Sequence, residues 1–404
     1  MPLQNSPSQY GSVTKAFHWL TALLILTALP LGLVAENAPY ADGDQLAHKA
    51  WLFSLHKTVG VAAFLTALLR IFWAMTQVRP GLLNAEDKLE ALGAHTVHWL
   101  LYGSMLLVPL TGWVHHAATT GFAPILWPFG QTLPFVPKNE HLADLTGSLH
   151  FLFMLVLAGS ILAHVAGALK HFVIDRDQTL QRMMPGRNSA PRAHPDTPSR
   201  APLALALVIW AATLVAGTFT GVFTPKHSHD AEPAPVLTQA PTDWVVDTGS
   251  LEISVNQFGS DVVGTFQDWT AAIIFDETAT GPIYGHTDVT ISIPSLTLGS
   301  VTDQALGADF LRASEYPTAN FSADISAADT GYIADGTLTV RGVSVPVKMP
   351  FDLSVEGNSA TMQGQTTLDR RAFSVGDTVA DEKSLGYSVQ VAVTLVATRA
   401  AAQD

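Results

Sequence analysis

Residues 147–171, GSLHFLFMLVLAGSILAHVAGALKH, are an apolar run with two histidines fourteen positions apart, His150 and His164. As an α-helix those fourteen residues rise about 21 Å and turn roughly 1400°, within about 40° of a whole number of turns, so both imidazoles leave one face. An ionisable side chain at the centre of a bilayer costs about 2.5 kcal/mol or more, and such groups face the protein interior with a partner. Imidazole is also the usual axial ligand of haem iron. The spacing therefore predicts a membrane helix that offers one ligand to each of two haems stacked across the bilayer.

Five segments reach the roughly 20 apolar residues a span requires: 17–35, 52–75, 96–116, 148–170 and 201–223. The first reads as a retained signal anchor, because its apolar run is long and the following AENAP is a weak cleavage site. Lys and Arg near the segment ends set orientation. With the N-terminus cytoplasmic, ten lie inside (Lys15, Arg70, Arg79, Lys88, Lys170, Arg176, Arg182, Arg187, Arg192 and Arg200) and four outside (Lys49, Lys57, Lys138 and Lys226). The count predicts a multi-pass protein with its N-terminus inside and its C-terminal half outside. Residues 187–200 are then a cytoplasmic linker and 224–242 a periplasmic one.

Charge divides the chain in the same place. Residues 1–239 carry 14 Lys and Arg against 13 Asp and Glu, whereas 240–404 carry 7 against 21. The acidic half is expected to be a water-exposed domain and is unsuited to nucleic acid. The chain has no cysteine, which excludes disulfides, thiolate metal sites, iron–sulfur clusters and covalent haem attachment. Haem, where held, is non-covalent and b-type.

From residue 243 the period changes to two. LEISVNQF, AAIIFD, DVTISI, PVKMPFDLSV and YSVQVAVTLVAT alternate apolar and polar residues between Gly, Asp, Asn and Pro breaks. An all-β antiparallel barrel or sandwich is expected over 243–404, with one short helix at 302–314.

Sorting the membrane histidines by depth leaves His56 and His150 as the deep pair outside. Inside, His18, His98 and His164 compete. His95, His115, His116 and His171 sit at segment ends, His48 and His141 in loops, and His227 and His229 in the linker.

YGSVTKAFHWLTALLILT, LHKTVGVAAFLTALLRIFW, AHTVHWLLYGSMLLVPLTGW and LHFLFMLVLAGSILAHVAGALKHFVIDRDQTLQRMMPG resemble the segments and tail of the bacterial cytochrome b561 family, over residues 8–186. The resemblance implies a four-helix transmembrane bundle with two haems b, each held by two histidines, that exchanges electrons with quinone. It pairs His18 with His164 at the inner haem and His56 with His150 at the outer. It leaves His95 and His98 as haem-surround or quinone-site residues, and Arg70 and Lys170 as candidate partners of haem propionates. Residues 201–223 are then a fifth transmembrane helix outside that bundle.

WVVDTGSLEISVNQFGSDVVGTFQDWTAAIIFD, ADFLRASEYPTANFSA and DGTLTVRGVSVPVKMPFDLSV resemble the YceI-like polyisoprenoid-binding family over residues 243–399. That resemblance implies a lipocalin-like barrel whose apolar lumen holds an isoprenoid chain. Phe266, Trp269, Phe275, Phe310, Phe321 and Phe373 are the bulky lumen candidates, and Arg341 a candidate for a polar head group. Together the two resemblances imply a protein of the bacterial inner membrane that passes electrons between haem and the quinone pool, including oxidation of superoxide with reduction of quinone. Its tethered periplasmic barrel would hold an isoprenoid lipid or quinone. The competing expectations are a lipid carrier anchored by a haem bundle, and the haem-b subunit of a larger dehydrogenase or hydrogenase with a redox partner protein.

Overall fold

A computed structural model describes residues 2–40, 42–81, 83, 86–119, 123–186, 199–224, 237, 242–299 and 301–400. Two compact units result: Met1–Glu36 with Leu52–Ala118 and Ile125–Lys226, and Asn37–Trp51 with Thr119–Pro124 and His227–Asp404. Apart from 199–200, 224, 237 and 242, the expected linkers lie outside the described residues, as do Arg187, Arg192, Lys226, His227 and His229.

The helices are α1 (Ser12–Asn37), α2 (Gly43–Met75), α3 (Lys88–Ala118), α4 (Glu140–Lys170), α5 (Thr179–Met183) and α6 (Ala201–Phe219). All but α5 are long and apolar enough to cross a membrane. They extend past the apolar cores read from sequence, because good helix formers such as Lys88, Leu89, Glu90, Ala91 and Leu92 continue the turn beyond the hydrocarbon. The exception is α6, which stops at Phe219, two residues before Gly221 takes a left-handed φ of +73. α4 starts at Asn139, whose side chain accepts the Leu142 N–H at 2.8 Å, and runs on into one π turn, His171–Asp175. Leu23, Leu26, Leu33, Leu65, Leu69, Phe72, Leu162 and Leu169 are exposed. Apolar stripes of this size on the outside of helices are suited to lipid as solvent.

α3 and α4 form the closely packed pair, and α6 lies on both. Its indole Trp210 sits where Gly103 of α3 lacks a side chain, above the buried Leu100, Val156 and Ala206. The DQTLQRMMPG tail folds back onto the start of α1. Lys15 Nζ donates to the Met184 and Gly186 carbonyls (2.9 and 3.1 Å), and Trp19 Nε1 to that of Met183 (2.9 Å). Lys15 is therefore a buried cap for that tail.

The second unit holds β1 (Trp244–Gln257), β2 (Ser260–Phe266), β3 (Trp269–Phe275), β4 (Ile283–Ser292), β5 (Leu296–Thr297), α7 (Thr302–Leu306), β6 (Thr318–Ala327), β7 (Tyr332–Val340), β8 (Val343–Glu356), β9 (Ser359–Asp369) and β10 (Leu385–Arg399). Pairing is antiparallel in the order β10-β9-β8-β7-β6-β4-β3-β1, and β1 closes onto β10 from Trp244↔Arg399 to Gln257↔Leu385. β2 continues the ring position of β3 along the second half of β1, so the closed barrel has eight positions. The expected helix at 302–314 is one short turn, because Gly307 leaves the helical region at ψ 173.

Candidate functional site

α4 carries His150 and His164, and each faces an imidazole from another helix. The rings of His18 and His164 have centroids 6.2 Å apart, and those of His56 and His150 are 6.1 Å apart. His98 also approaches His164, at 5.4 Å. An imidazole nitrogen binds a metal at about 2.0 Å and the ring centre lies roughly 1.1 Å behind it, so two imidazoles trans on one metal have centroids about 6.2 Å apart. His18–His164 and His56–His150 match that separation. His98–His164 is too close for it.

The second pair is oriented by backbone. His56 Nδ1 lies 2.9 Å from the Ala28 carbonyl oxygen on α1, and His150 Nδ1 lies 2.8 Å from that of Val108 on α3. A carbonyl only accepts, so each Nδ1 carries the proton and each Nε2 keeps its lone pair for a metal. Both carbonyls are reached because the residue one turn later is glycine. Helical Cβ atoms tilt toward the N-terminus, so the side chain at i+4 overhangs the carbonyl of residue i. A Cβ on Gly32 would lie 2.8 Å from His56 Cε1, and one on Gly112 would lie 2.8 Å from both Cε1 and Nδ1 of His150. The arrangement recurs at His115, whose Nδ1 donates to Ala143 O at 2.7 Å beside Gly147. At the first pair, His18 Nδ1 is buried and makes no hydrogen bond.

The other expected residues fall around these pairs. His95 and His98 share a face of α3, close to each other. Arg70 lies over the Tyr102 ring and within electrostatic reach of His18, His98 and His164. Lys170 is engaged elsewhere, in ion pairs with Glu90 and Asp175. Its ammonium occupies the cluster where Glu90, His171 and Asp175 converge, so that cluster is an ion-pair network. Beyond the His56 pair, Lys57 Nζ meets His116 Nδ1 at 3.2 Å, and His116 Nε2 donates to Gln131 Oε1 at 3.0 Å. Burial pushes the Lys138 ammonium below its ordinary pKa.

The barrel encloses a cavity of about 310 Å³. All six expected aromatics, Phe266, Trp269, Phe275, Phe310, Phe321 and Phe373, line it. Arg341 does not: it donates to the Asp309 and Ser374 carbonyls and so fastens a loop, its own backbone being left-handed at φ 52. Sequence reading missed five polar residues of the lining, Gln257, Thr287, Gln304, Thr366 and Arg370.

The family model for prokaryotic cytochrome b561 matches residues 9–186, and that for the YceI-like domain matches residues 244–397. Cytochrome b561 homolog 2 of Escherichia coli (strain K12) is 30% identical over 190 residues, which cover 47% of this chain and 98% of that protein. The chain belongs to the prokaryotic cytochrome b561 family. To that cytochrome b561 bundle it adds a YceI-like barrel. Similar proteins include the probable superoxide oxidase CybB of Yersinia pestis, 26% identical over 44% of this chain and 96% of that one. The crystal structure of Burkholderia cenocepacia BcnA aligns at a TM-score of 0.36 and 29% identity, covering 38% of this chain and 99% of that one. Haem b, iron and electron transport follow from membership of the cytochrome b561 family. The residues present fit that group, since two facing pairs have the separation of a trans bis-imidazole site and one pair has both Nε2 atoms left for the metal.

Proposed function

We propose that this chain is an electron-transfer cytochrome of the bacterial inner membrane that holds two haems b, one between His18 and His164 and one between His56 and His150. Its N-terminus is cytoplasmic, its barrel is periplasmic, and it exchanges electrons with the quinone pool. The observation that carries the reading is the pair of ring separations, 6.2 and 6.1 Å, on one helix. When bound between these histidines, haem would supply one-electron transfer. The chain's part is to fix the ligands. Carbonyls of Ala28 and Val108 set the tautomer and ring angle at the His56 pair, and the surrounding apolar helices exclude water. Arg70 is the propionate partner near the His18 pair, and Lys170 braces the end of α4 through its carboxylates. His95 and His98 form the surround of that site.

The likeness to a probable superoxide oxidase brings superoxide into the reading as electron donor. Two superoxide anions would give up one electron each, and one quinone would take up two electrons and two protons. Lys57, which donates to the neutral His116, and Lys138 supply positive charge on the approach to the His56 pair. The YceI-like barrel holds an isoprenoid lipid in its lumen, against the six aromatics. Its tether keeps that lipid at a high effective concentration near the bundle.

The test is haem quantification and redox spectroscopy of the full-length protein and its single histidine variants. Two haems per chain are expected, with one lost on replacing any of His18, His56, His150 or His164. Loss of a haem in His98→Ala together with full retention in His18→Ala would overturn the first pairing.

A further inference from the structure

We infer that one end of the barrel lumen is a head-group subsite, formed by Gln257 and Gln304, that selects an isoprenoid with a neutral, hydrogen-bonding head over one with a phosphate head. The inference rests on the reading that the barrel holds an isoprenoid lipid, and adds which head it recognises.

Gln257 ends an inward row on β1. Leu251, Ile253, Val255 and Gln257 alternate along the strand and all line the cavity. Its side chain is only 5% exposed, and Oε1 is buried without a hydrogen-bond partner. Gln304 on α7 lines the same cavity, and its Nε2 is likewise buried without a partner. Leucine would fill either position without leaving polar groups unsatisfied, and buried polar atoms are rarely left so. An amide offers a donor and an acceptor whichever way it is turned. Two such groups, in a lumen whose other polar lining residues are Thr287, Thr366 and Arg370, match a head with carbonyl oxygens to accept and hydroxyls to donate. A quinone and its quinol have that chemistry.

The cations at this end do not suit an anion. Arg370 lines the cavity and is 4% exposed, yet all five of its N–H groups donate to backbone carbonyls, those of Gly386, Val375, Gly376, Val379 and Leu385, at 2.7 to 3.2 Å. Arg341 and Arg371 do not line the cavity: Arg341 Nη1 holds the Asp309 and Ser374 carbonyls, and Arg371 pairs with Asp369. A phosphate entering here would lose its water, and Arg370, the one cation among the described residues that line the cavity, has no N–H left to replace it. Arg370 belongs to the wall, and the two glutamines are left for the ligand.

The experiment uses full-length protein in detergent and three radiolabelled probes with the same four-isoprene tail: a benzoquinone, a prenyl phosphate, and the headless hydrocarbon. Binding is measured by equilibrium dialysis in the wild type, in Gln257→Leu with Gln304→Leu, and in the same pair changed to Met. Any quinone site in the bundle contributes equally to all three proteins. Quinone is expected to bind the wild type at least about tenfold more tightly than the phosphate, and to lose about tenfold in both double variants. The hydrocarbon should bind all three alike, which also reports that the variants fold. Equal or tighter binding of the phosphate by wild type, or unchanged quinone affinity in the variants, would overturn the subsite. Failure of every probe, the hydrocarbon included, would overturn the lipid-holding reading along with it.

Discussion

Replacing Gly112 by alanine adds one methyl group that would sit 2.8 Å from Cε1 and from Nδ1 of His150. Heavy atoms in contact need about 3.5 Å, so the imidazole must retreat by roughly 0.7 Å. It has little room to do so. Its Nδ1 is anchored to Val108 O at 2.8 Å, and on the proposed assignment its Nε2 is held by a metal bond that tolerates about 0.2 Å. Overpacking of this kind costs about 1–3 kcal/mol, which corresponds to roughly 5- to 150-fold weaker retention of the haem at that pair. The helix itself pulls the other way, since alanine in place of glycine favours a helix by about 0.8–1.0 kcal/mol. Loss of haem would therefore not be a symptom of a weakened α3. The same reasoning holds for Gly32 and His56, where the added Cβ would lie 2.8 Å from the ring. Gly60→Ala and Gly159→Ala are the controls, because a Cβ there meets nothing within 4 Å. The assay is haem content per chain with low-temperature difference spectra of detergent-purified protein. Gly32→Ala and Gly112→Ala should each deplete or shift the signal of one haem and leave the other intact, and the controls should match wild type. Two haems with unchanged spectra in both variants would refute the idea that these glycines admit the ligand rings.

The barrel, residues 243–404, should fold alone, because β1 closes onto β10 within that range; circular dichroism of the excised domain would show β structure, and a disordered spectrum would contradict it. Arg370→Leu should destabilise that domain by more than about 3 kcal/mol in urea unfolding, since it leaves several buried carbonyls without donors, and a loss under about 1 kcal/mol would mean that water replaces the guanidinium. The Asp324 carboxylate bonded to His286 Nδ1 at 2.8 Å raises the pKa of that histidine. A raised pKa contributes stability below the unfolded value near 6.5 that is lost as pH rises through the folded value. The pair is largely exposed, so Asp324→Asn should cost only about a few tenths of a kcal/mol at pH 5.5 and nothing at pH 9; an equal cost at both would exclude the charge.

The architecture was legible because two strong signals were present, long apolar runs and a period of two, and neither depends on tertiary detail. The histidine positions were legible for a related reason. An imidazole in an apolar run is costly, so its presence needs a partner at the same depth, and depth can be counted along a helix. Choosing between His18 and His98 as the partner of His164 was different in kind. Both sit at the right depth, and only the ring separations of 6.2 and 5.4 Å distinguish them by geometry. The long cations were the least readable. Lys15, Lys170 and Arg341 each reach a partner on another segment, and which one they reach follows from the fold. Gln257 left a trace that could have been followed, since it continues the inward row of Leu251, Ile253 and Val255. Gln304, in a single turn of helix, left none.

The glycines bear on how a helical bundle specifies a cofactor site at all. A helix carbonyl already accepts its own i+4 amide, and a side chain at i+4 stands over the side from which a neighbouring helix could offer a second donor. Glycine at that place turns an ordinary backbone group into a fixed acceptor for a neighbouring imidazole. Ala28 with Gly32, Val108 with Gly112 and Ala143 with Gly147 are three occurrences in one bundle. The third serves His115, which belongs to neither facing pair. Orientation by this means is thus separable from ligation: the carbonyl and glycine fix which nitrogen points away from the helix, and a facing imidazole at the right distance decides whether that nitrogen has a metal to bind. His150 has both parts. Its Nδ1 is held by α3 while its ring faces that of His56 on α2, so three helices agree on the position of one ring.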